Sequence, residues 1–193
     1  MTINRKILKE YVMGSLIKNI LLERPNDDDY VPSSKGEYHL SKGDDDRFWG
    51  NRGAGILLIA KDTGRLLLTF RSEYVNEPHT WGIPGGAIDS HSESPENAAR
   101  REAHEELKFS GRIDDLQSAY VFRANGGGFT YYNFIGIIEN EFEPRLDWEN
   151  EDAEWFELDN LPSPLHFGVN ALLNNSANQI REIIAGFKNN NEQ

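Results

Sequence analysis

The chain has no cysteine at all among its 193 residues. That excludes disulfides, zinc–thiolate sites and thiol catalysis, and it fits a reducing, cytoplasmic setting. There is no run of eighteen apolar residues, so no transmembrane helix is expected. The N-terminus carries Arg5 and Lys6 but no continuous apolar stretch or cleavage site, so no signal peptide is expected. Positive charge is scarce. Lys and Arg number 20 against 32 Asp and Glu, a formal net charge of -12 that opposes generic binding to nucleic acid or anionic membranes. A small phosphate ester arriving with metal ions is not excluded by that balance.

What the chain does have is concentrated between Trp81 and Phe109. Ser94 is a good N-cap, Pro95 suits the first helical position, and Glu96 favours the positive end of the helix dipole. Glu102, Glu105 and Glu106 fall at i, i+3 and i+4, so their carboxylates share one helix face. Ala99, Ala103 and Leu107 make an apolar stripe about a quarter turn away. The acids therefore border the buried face.

Like charges at this spacing repel by a few tenths of a kcal/mol on an exposed helix, and these lie toward its negative end. A hard, oxygen-seeking cation such as Mg2+ or Mn2+ would neutralise them. A solvated acidic face is the other reading of those acids taken alone.

The surrounding residues decide between the two. Gly85 and Gly86 lie upstream, and seven residues separate Glu93 from Arg101. From Gly86 through Glu93, Arg101, Glu102, Glu105 and Glu106 to Phe109 the chain resembles the Nudix box, G-x5-E-x7-R-E-U-x-E-E-x-G-U, with U a bulky apolar residue. Trp81-Gly82-Ile83-Pro84 is similar to the lead-in of many Nudix hydrolases, and Asn160-Leu161-Pro162 to an element that follows their last strand. There are three departures. Gly86 to Glu93 holds one residue too many, which a bulge around Ser90-His91 would absorb. Lys108 replaces the late glycine, and Gly111 could end the helix one turn later. Ala103 is smaller than usual, which implies tight packing behind the helix.

The resemblance implies an α/β fold, the Nudix α/β/α sandwich with a mixed sheet. It also implies a metal-dependent pyrophosphohydrolase acting on a small nucleotide substrate, a nucleoside diphosphate linked to another moiety such as a nucleotide sugar or ADP-ribose. A nucleoside triphosphate pyrophosphohydrolase and a catalytically silent nucleotide-binding module are the alternatives. By resemblance, Glu102 and Glu106 ligate the metal, and Glu105 ligates a second metal or orients its water. The Gly85 carbonyl reaches the metal, and Arg101 holds Glu93 by ion pairing. A further glutamate outside the box is Glu149 or Glu151, with Glu151 preferred. Arg71, at the end of a strand, could meet a phosphate, and Arg123 could do so across from it. Tyr131, Tyr132 and Phe134 alternate on a strand, as core or as stacking surfaces. His104 points away from the acids, and the roles of His79, His91 and His166 stay open.

The rest of the chain divides into residues 1–47, a helix and a polar connector, and residues 48–193, the hydrolase domain. Residues 3–22 keep a helical apolar period, so this extension packs on its own domain or on a second subunit of a homodimer. Residues 24–47, with Asp27-Asp28-Asp29 and Pro32-Ser33-Ser34, read as loop. Ala54–Ala60 and Arg65–Phe70 read as a hairpin around Lys61 to Gly64. Tyr120–Ala124, Thr130–Ile138 and Glu154–Leu158 read as further strands, and Gly168–Phe187 as a closing helix with Asn174-Asn175 a weak point.

Overall fold

The computed structural model describes residues 31–32, 38–39, 52–88, 92–124 and 129–190, with side-chain surroundings as far as 187. The chain divides into two compact units, Met1–Phe48 and Trp49–Gln193. In the first, β1 (Val31–Pro32) pairs antiparallel with β2 (Tyr38–His39), inside the stretch expected to be loop. The helix expected over 3–22 lies outside the described residues, as does the expected bulge at Ser90-His91.

The second unit is built around β3 (Arg52–Ala60), whose residues after Arg52 are all buried. Such an unbroken apolar run belongs to a strand covered on both faces. Ala54, Ile56, Leu58 and Ala60 face one core with α1 (Pro95–Leu107), while Leu57 and Ile59 face another with α2 (Phe167–Asn190). The period-2 alternation of a strand thus assigns each residue to one helix. β3 runs parallel to β8 (Thr130–Ile138), and β8 pairs antiparallel with β7 (Asp115–Arg123). The sheet is mixed and lies between two helices, as the resemblance implies.

The other edge of β3 is shared. Near its end, Ile59 pairs with Leu66 of β4 (Leu66–Arg71), which closes the expected hairpin. Near its start, Gly53 to Gly55 pair instead with β6 (Gly85–Ala87). β4 leaves β3 and carries β5 (Trp81–Gly82) on one side and β9 (Asn150–Phe156) on the other. The sheet therefore splits at the start of β3, and the glycines of β6 line the split.

Two strands begin earlier than expected, β7 at Asp115 and β9 at Asn150, and β9 ends at Phe156. Backbone pairing extends the strands through polar residues, among them Gln117, Ser118, Asn150 and Asp152. α2 continues through Asn174-Asn175, where Asn175 turns its amide to the Ala171 carbonyl at 2.8 Å. α1 is capped by Ser94, whose hydroxyl accepts from the Asn97 amide at 3.2 Å. It ends at Leu107, not at Gly111. Lys108 itself takes the left-handed conformation, φ 53°, and its ammonium donates to the Glu105 carbonyl at 2.7 Å. The lysine thus occupies the place glycine was expected to require.

Candidate active site

α1 buries small residues against the sheet: Ala98, Ala99 and Ala103 are wholly buried. Small side chains let the helix approach closely, and its acids reach β6 as a result. Glycine at position 86 leaves room for that approach, because a Cβ there would collide with the Glu102 carboxylate where it stands.

The ladder between β3 and β6 decides which backbone groups meet those acids. Ile56 donates to the Pro84 carbonyl and Ile88 to the Arg52 carbonyl, so the alternate residues Gly85 and Ala87 turn their backbone groups away from β3. The Gly85 amide then donates to Glu106 Oε1 at 2.7 Å, and the Ala87 carbonyl accepts from Arg101 Nη2 at 2.8 Å. The Gly85 carbonyl is likewise outside the ladder.

Arg101 gathers the other acids. Its Nε donates to Glu93 Oε1 at 3.0 Å, and its Nη1 to Glu102 Oε1 at 2.9 Å and Glu105 Oε2 at 3.0 Å. The side chains of Glu93 and Glu102 are mostly buried, while that of Glu105 is 52% exposed. The pairing of Glu93 with Arg101 is made despite the extra residue in the loop.

Glu106 is set deeper. Its Oε2 accepts from Asn150 Nδ2 at 2.8 Å, and the residue is 5% exposed. Burial pushes its carboxyl well above the usual range, and the charge of Glu149 adds to that, against the two hydrogen bonds. Glu149 is pushed up to about 7, chiefly by burial and then by Asp147 and Glu102, with Arg71 opposing. A carboxylate group so destabilised is chemically suited to a cation. Among the described residues no three acidic or imidazole side chains form a ready-made metal cage. Glu102 and Glu105 share Arg101, and Glu106 faces Gly85 and Asn150. The donor set nevertheless fits a hard divalent ion, being all oxygen and short of positive charge.

Of the two glutamates outside the box, Glu149 and not Glu151 stands beside these acids. β9 pairs Asn150 with Arg71 and Asp152 with Phe70, so Glu151 is the extra residue of a bulge, and it is exposed. The loop before it is pinned to the helix end: the Arg145 amide donates to the Leu107 carbonyl, and that of Asp147 to the Glu106 carbonyl. The Ser72 amide in turn donates to the Glu149 carbonyl at 2.9 Å.

Arg71 also belongs here. It ends β4, its Nε donates to the Asn76 carbonyl at 2.9 Å, and its terminal nitrogens have no partner among the described residues. Burial pulls its pKa down, against the attraction of Glu106 and Glu149. Arg123 is not brought across from it. It is exposed at the end of β7, and β3 and β8 lie between the two strands.

Asn150 is not legible in the amino-acid sequence as a partner for Glu106. No spacing rule distinguishes a lone asparagine, since only the bulge in β9 aims it inward. His166 is also better placed than its sequence indicated. Trp81 bonds the Pro164 carbonyl and the His166 amide, which seats the imidazole near Arg71. Burial lowers its pKa to about 3, with Arg71 adding to the effect. His104 is exposed, with Nδ1 3.2 Å from the Phe109 carbonyl oxygen, and His79 is exposed near Phe70. His91 lies outside the described residues.

The comparisons with known proteins agree with this geometry. The family model of the NUDIX domain matches residues 50–175. A putative 8-oxo-dGTP diphosphatase 3 of Mycobacterium tuberculosis is 33% identical over 134 residues, 64% of this chain and 61% of that protein. The chain thus spans less than two thirds of that relative's length. Among solved structures, the Nudix hydrolase RenU of M. smegmatis superposes with a TM-score of 0.55 at 29% identity, covering 81% of this chain and 94% of that one. A MutT Nudix hydrolase from Burkholderia pseudomallei gives 0.52 at 28%, covering 65% and 96%. With that match across most of the chain, and with the box folded as a helix against the glycines of β6, the protein belongs to the Nudix family.

Proposed function

We propose that the chain is a divalent-metal-dependent pyrophosphohydrolase that cleaves the diphosphate of a nucleoside diphosphate linked to another moiety. The observation that carries this reading is the crowding of Glu102, Glu105 and Glu106 beside Gly85, with Glu149 close by and Arg101 and Arg71 the cations of the site. A catalytically silent binding module has no need of so costly a group of acids.

In this reading Glu102, Glu106 and the Gly85 carbonyl would hold Mg2+ or Mn2+, and Glu105 would hold a second ion or orient its water. Bound there, such ions would supply positive charge to the phosphate oxygens and acidity to a water. Arg101 keeps Glu93, Glu102 and Glu105 oriented, and Glu149 takes the part first given to Glu151. Beside those acids, the Glu149 carboxylate could accept a proton from the attacking water. The terminal nitrogens of Arg71 are open to a phosphate oxygen. Arg123, on the far edge, has no such part.

The name of the M. tuberculosis relative supports a second reading, a nucleoside triphosphate pyrophosphohydrolase. Release of nucleoside monophosphate from a panel of nucleotide sugars, ADP-ribose and nucleoside triphosphates, with and without Mg2+, separates the two. Metal-dependent turnover of the linked diphosphates alone supports the first reading, and turnover of the triphosphates alone the second. No turnover of any would sink both. A cytoplasmic location, and packing of residues 3–22 either on their own domain or on a second subunit of a homodimer, are the accompanying proposals. Mass in solution and thermal stability after removal of residues 1–23 test the packing: lost stability at unchanged mass supports the first arrangement, a shift from dimer to monomer the second, and no change in either refutes both.

A further inference from the structure

The three glycines at the split in the sheet have a common neighbour. A Cβ added at Gly53, Gly55 or Gly85 would run into the ring or hydroxyl of Tyr131. Gly53 is the register partner of Tyr131 across β3 and β8, and Gly55 is that of Gly85 across β3 and β6. The ring therefore lies along a glycine floor with its hydroxyl beside Gly85. That is the same glycine whose amide holds Glu106.

Among the described residues the Tyr131 hydroxyl has no hydrogen-bond partner, and it is not sealed from solvent, so it is accessible to a ligand oxygen. Burial and the nearby charges of Glu106 and Glu102 hold its proton on, with Arg71 opposing, so it stays a neutral donor. Arg71, whose terminal nitrogens are also without partners, is the nearby cation that acts on it. Gly55 and Gly85 lie on one face of the sheet, the face opposite α1, because cross-strand partners point the same way.

We propose that the Tyr131 hydroxyl donates a hydrogen bond to a phosphate oxygen of the substrate and so helps Arg71 to position the diphosphate. The inference rests on the hydrolase reading above and adds a binding residue to it. A neutral donor suits this place. It orients an oxygen without competing with the cation that the acids would hold, whereas a second arginine would.

Tyr131→Phe keeps the ring on its glycine floor and removes only the hydroxyl. The thermal midpoint should hold, KM should rise, and kcat/KM should fall about 10-fold or more, as for a lost hydrogen bond to a charged group. Binding of α,β-methylene-ADP with Mg2+, followed by calorimetry, should weaken in parallel. Gly55→Ala should mimic this loss in the wild-type background, since its Cβ would sit 2.5 Å from the hydroxyl. In the Tyr131→Phe background it should add less, because the 2.5 Å contact is gone and only those to the Pro84 carbonyl at 3.1 Å and the ring at 3.2 Å stay. An active wild type with unchanged KM and analogue binding in Tyr131→Phe overturns this inference alone. A lower melting midpoint with unchanged kinetics does so too, by making the hydroxyl structural. A wild type that hydrolyses none of the panel overturns this inference together with the hydrolase reading.

Discussion

The two helices cover opposite faces of one sheet with different materials. α2 buries Val169, Leu172 and Ile180, branched side chains that fill a core. α1 buries Ala98, Ala99, Ala103 and Leu107, and next to them it buries a glutamate. Large side chains hold a helix at a distance and contribute through apolar area. Small ones sacrifice area for proximity, and proximity is what lets Glu106 reach the Gly85 amide and Glu102 touch Gly86. One helix fills a core, and the other brings acidic groups up to the backbone of β6.

If that contrast is right, the largest effect comes from the charge of Glu106. Glu106→Gln should fold and lose on the order of 100-fold or more in kcat at saturating Mg2+. Its melting midpoint without metal should be unchanged or higher, since a costly buried charge is gone. Steady-state assays beside thermal melts check both, and near wild-type turnover would break the assignment.

Next in size is the approach itself. Gly86→Ala must move Glu102, whose Cδ would lie 2.7 Å from the new Cβ. A loss of roughly 10-fold in kcat/KM is expected, as for a small misplacement of a reacting group. The melting point should also fall. Unaltered Mg2+ dependence in this variant would show that the close contact is incidental.

The buried acids also predict a pH signature. The Glu149 carboxyl is raised from 4.5 to about 7 in the fold, so it contributes stability that is present below pH 4.5 and lost as pH rises toward 7. His166 acts oppositely. Its pKa is lowered from 6.5 to about 3, so its contribution is present above pH 6.5 and lost as pH falls toward 3. The metal-free difference in stability between Glu149→Gln and wild type should therefore grow in favour of the variant from pH 4.5 to 7. A difference flat with pH in denaturant titrations would refute the burial of that charge.

The smaller effects lie in the helix ends. Lys108→Gly should stabilise by about 1 kcal/mol, since a left-handed lysine costs roughly 1–2 kcal/mol, partly offset by its lost bond to the Glu105 carbonyl. Gly186→Ala on exposed α2, where a Cβ meets nothing within 4 Å, should stabilise by about 0.5–1 kcal/mol. Both are read from chemical melts. Against them, Gly86→Ala shows whether a glycine-to-alanine change costs the protein on α1's side of the sheet while helping it on α2.

The amino-acid sequence alone determined the α/β architecture, the buried run of β3, the capped helix from Pro95 and the shared face of its three acids. Each depends on local periodicity or on residues a few positions apart, which a chain displays without folding. Tertiary structure decided the rest. It split the sheet so that β6, unseen as a strand in three glycine-rich residues, could meet Glu106. A bulge in β9 turned Asn150 inward and Glu151 out, leaving Glu149 beside the acids. The strand order set Arg71 and Arg123 on separate strands with two others between them, and the packing at Leu107 placed Lys108 where glycine was expected. All of these depend on which backbone edges pair and how closely two elements approach. Those distances arise from contacts between residues remote in sequence, and no spacing along the chain encodes them.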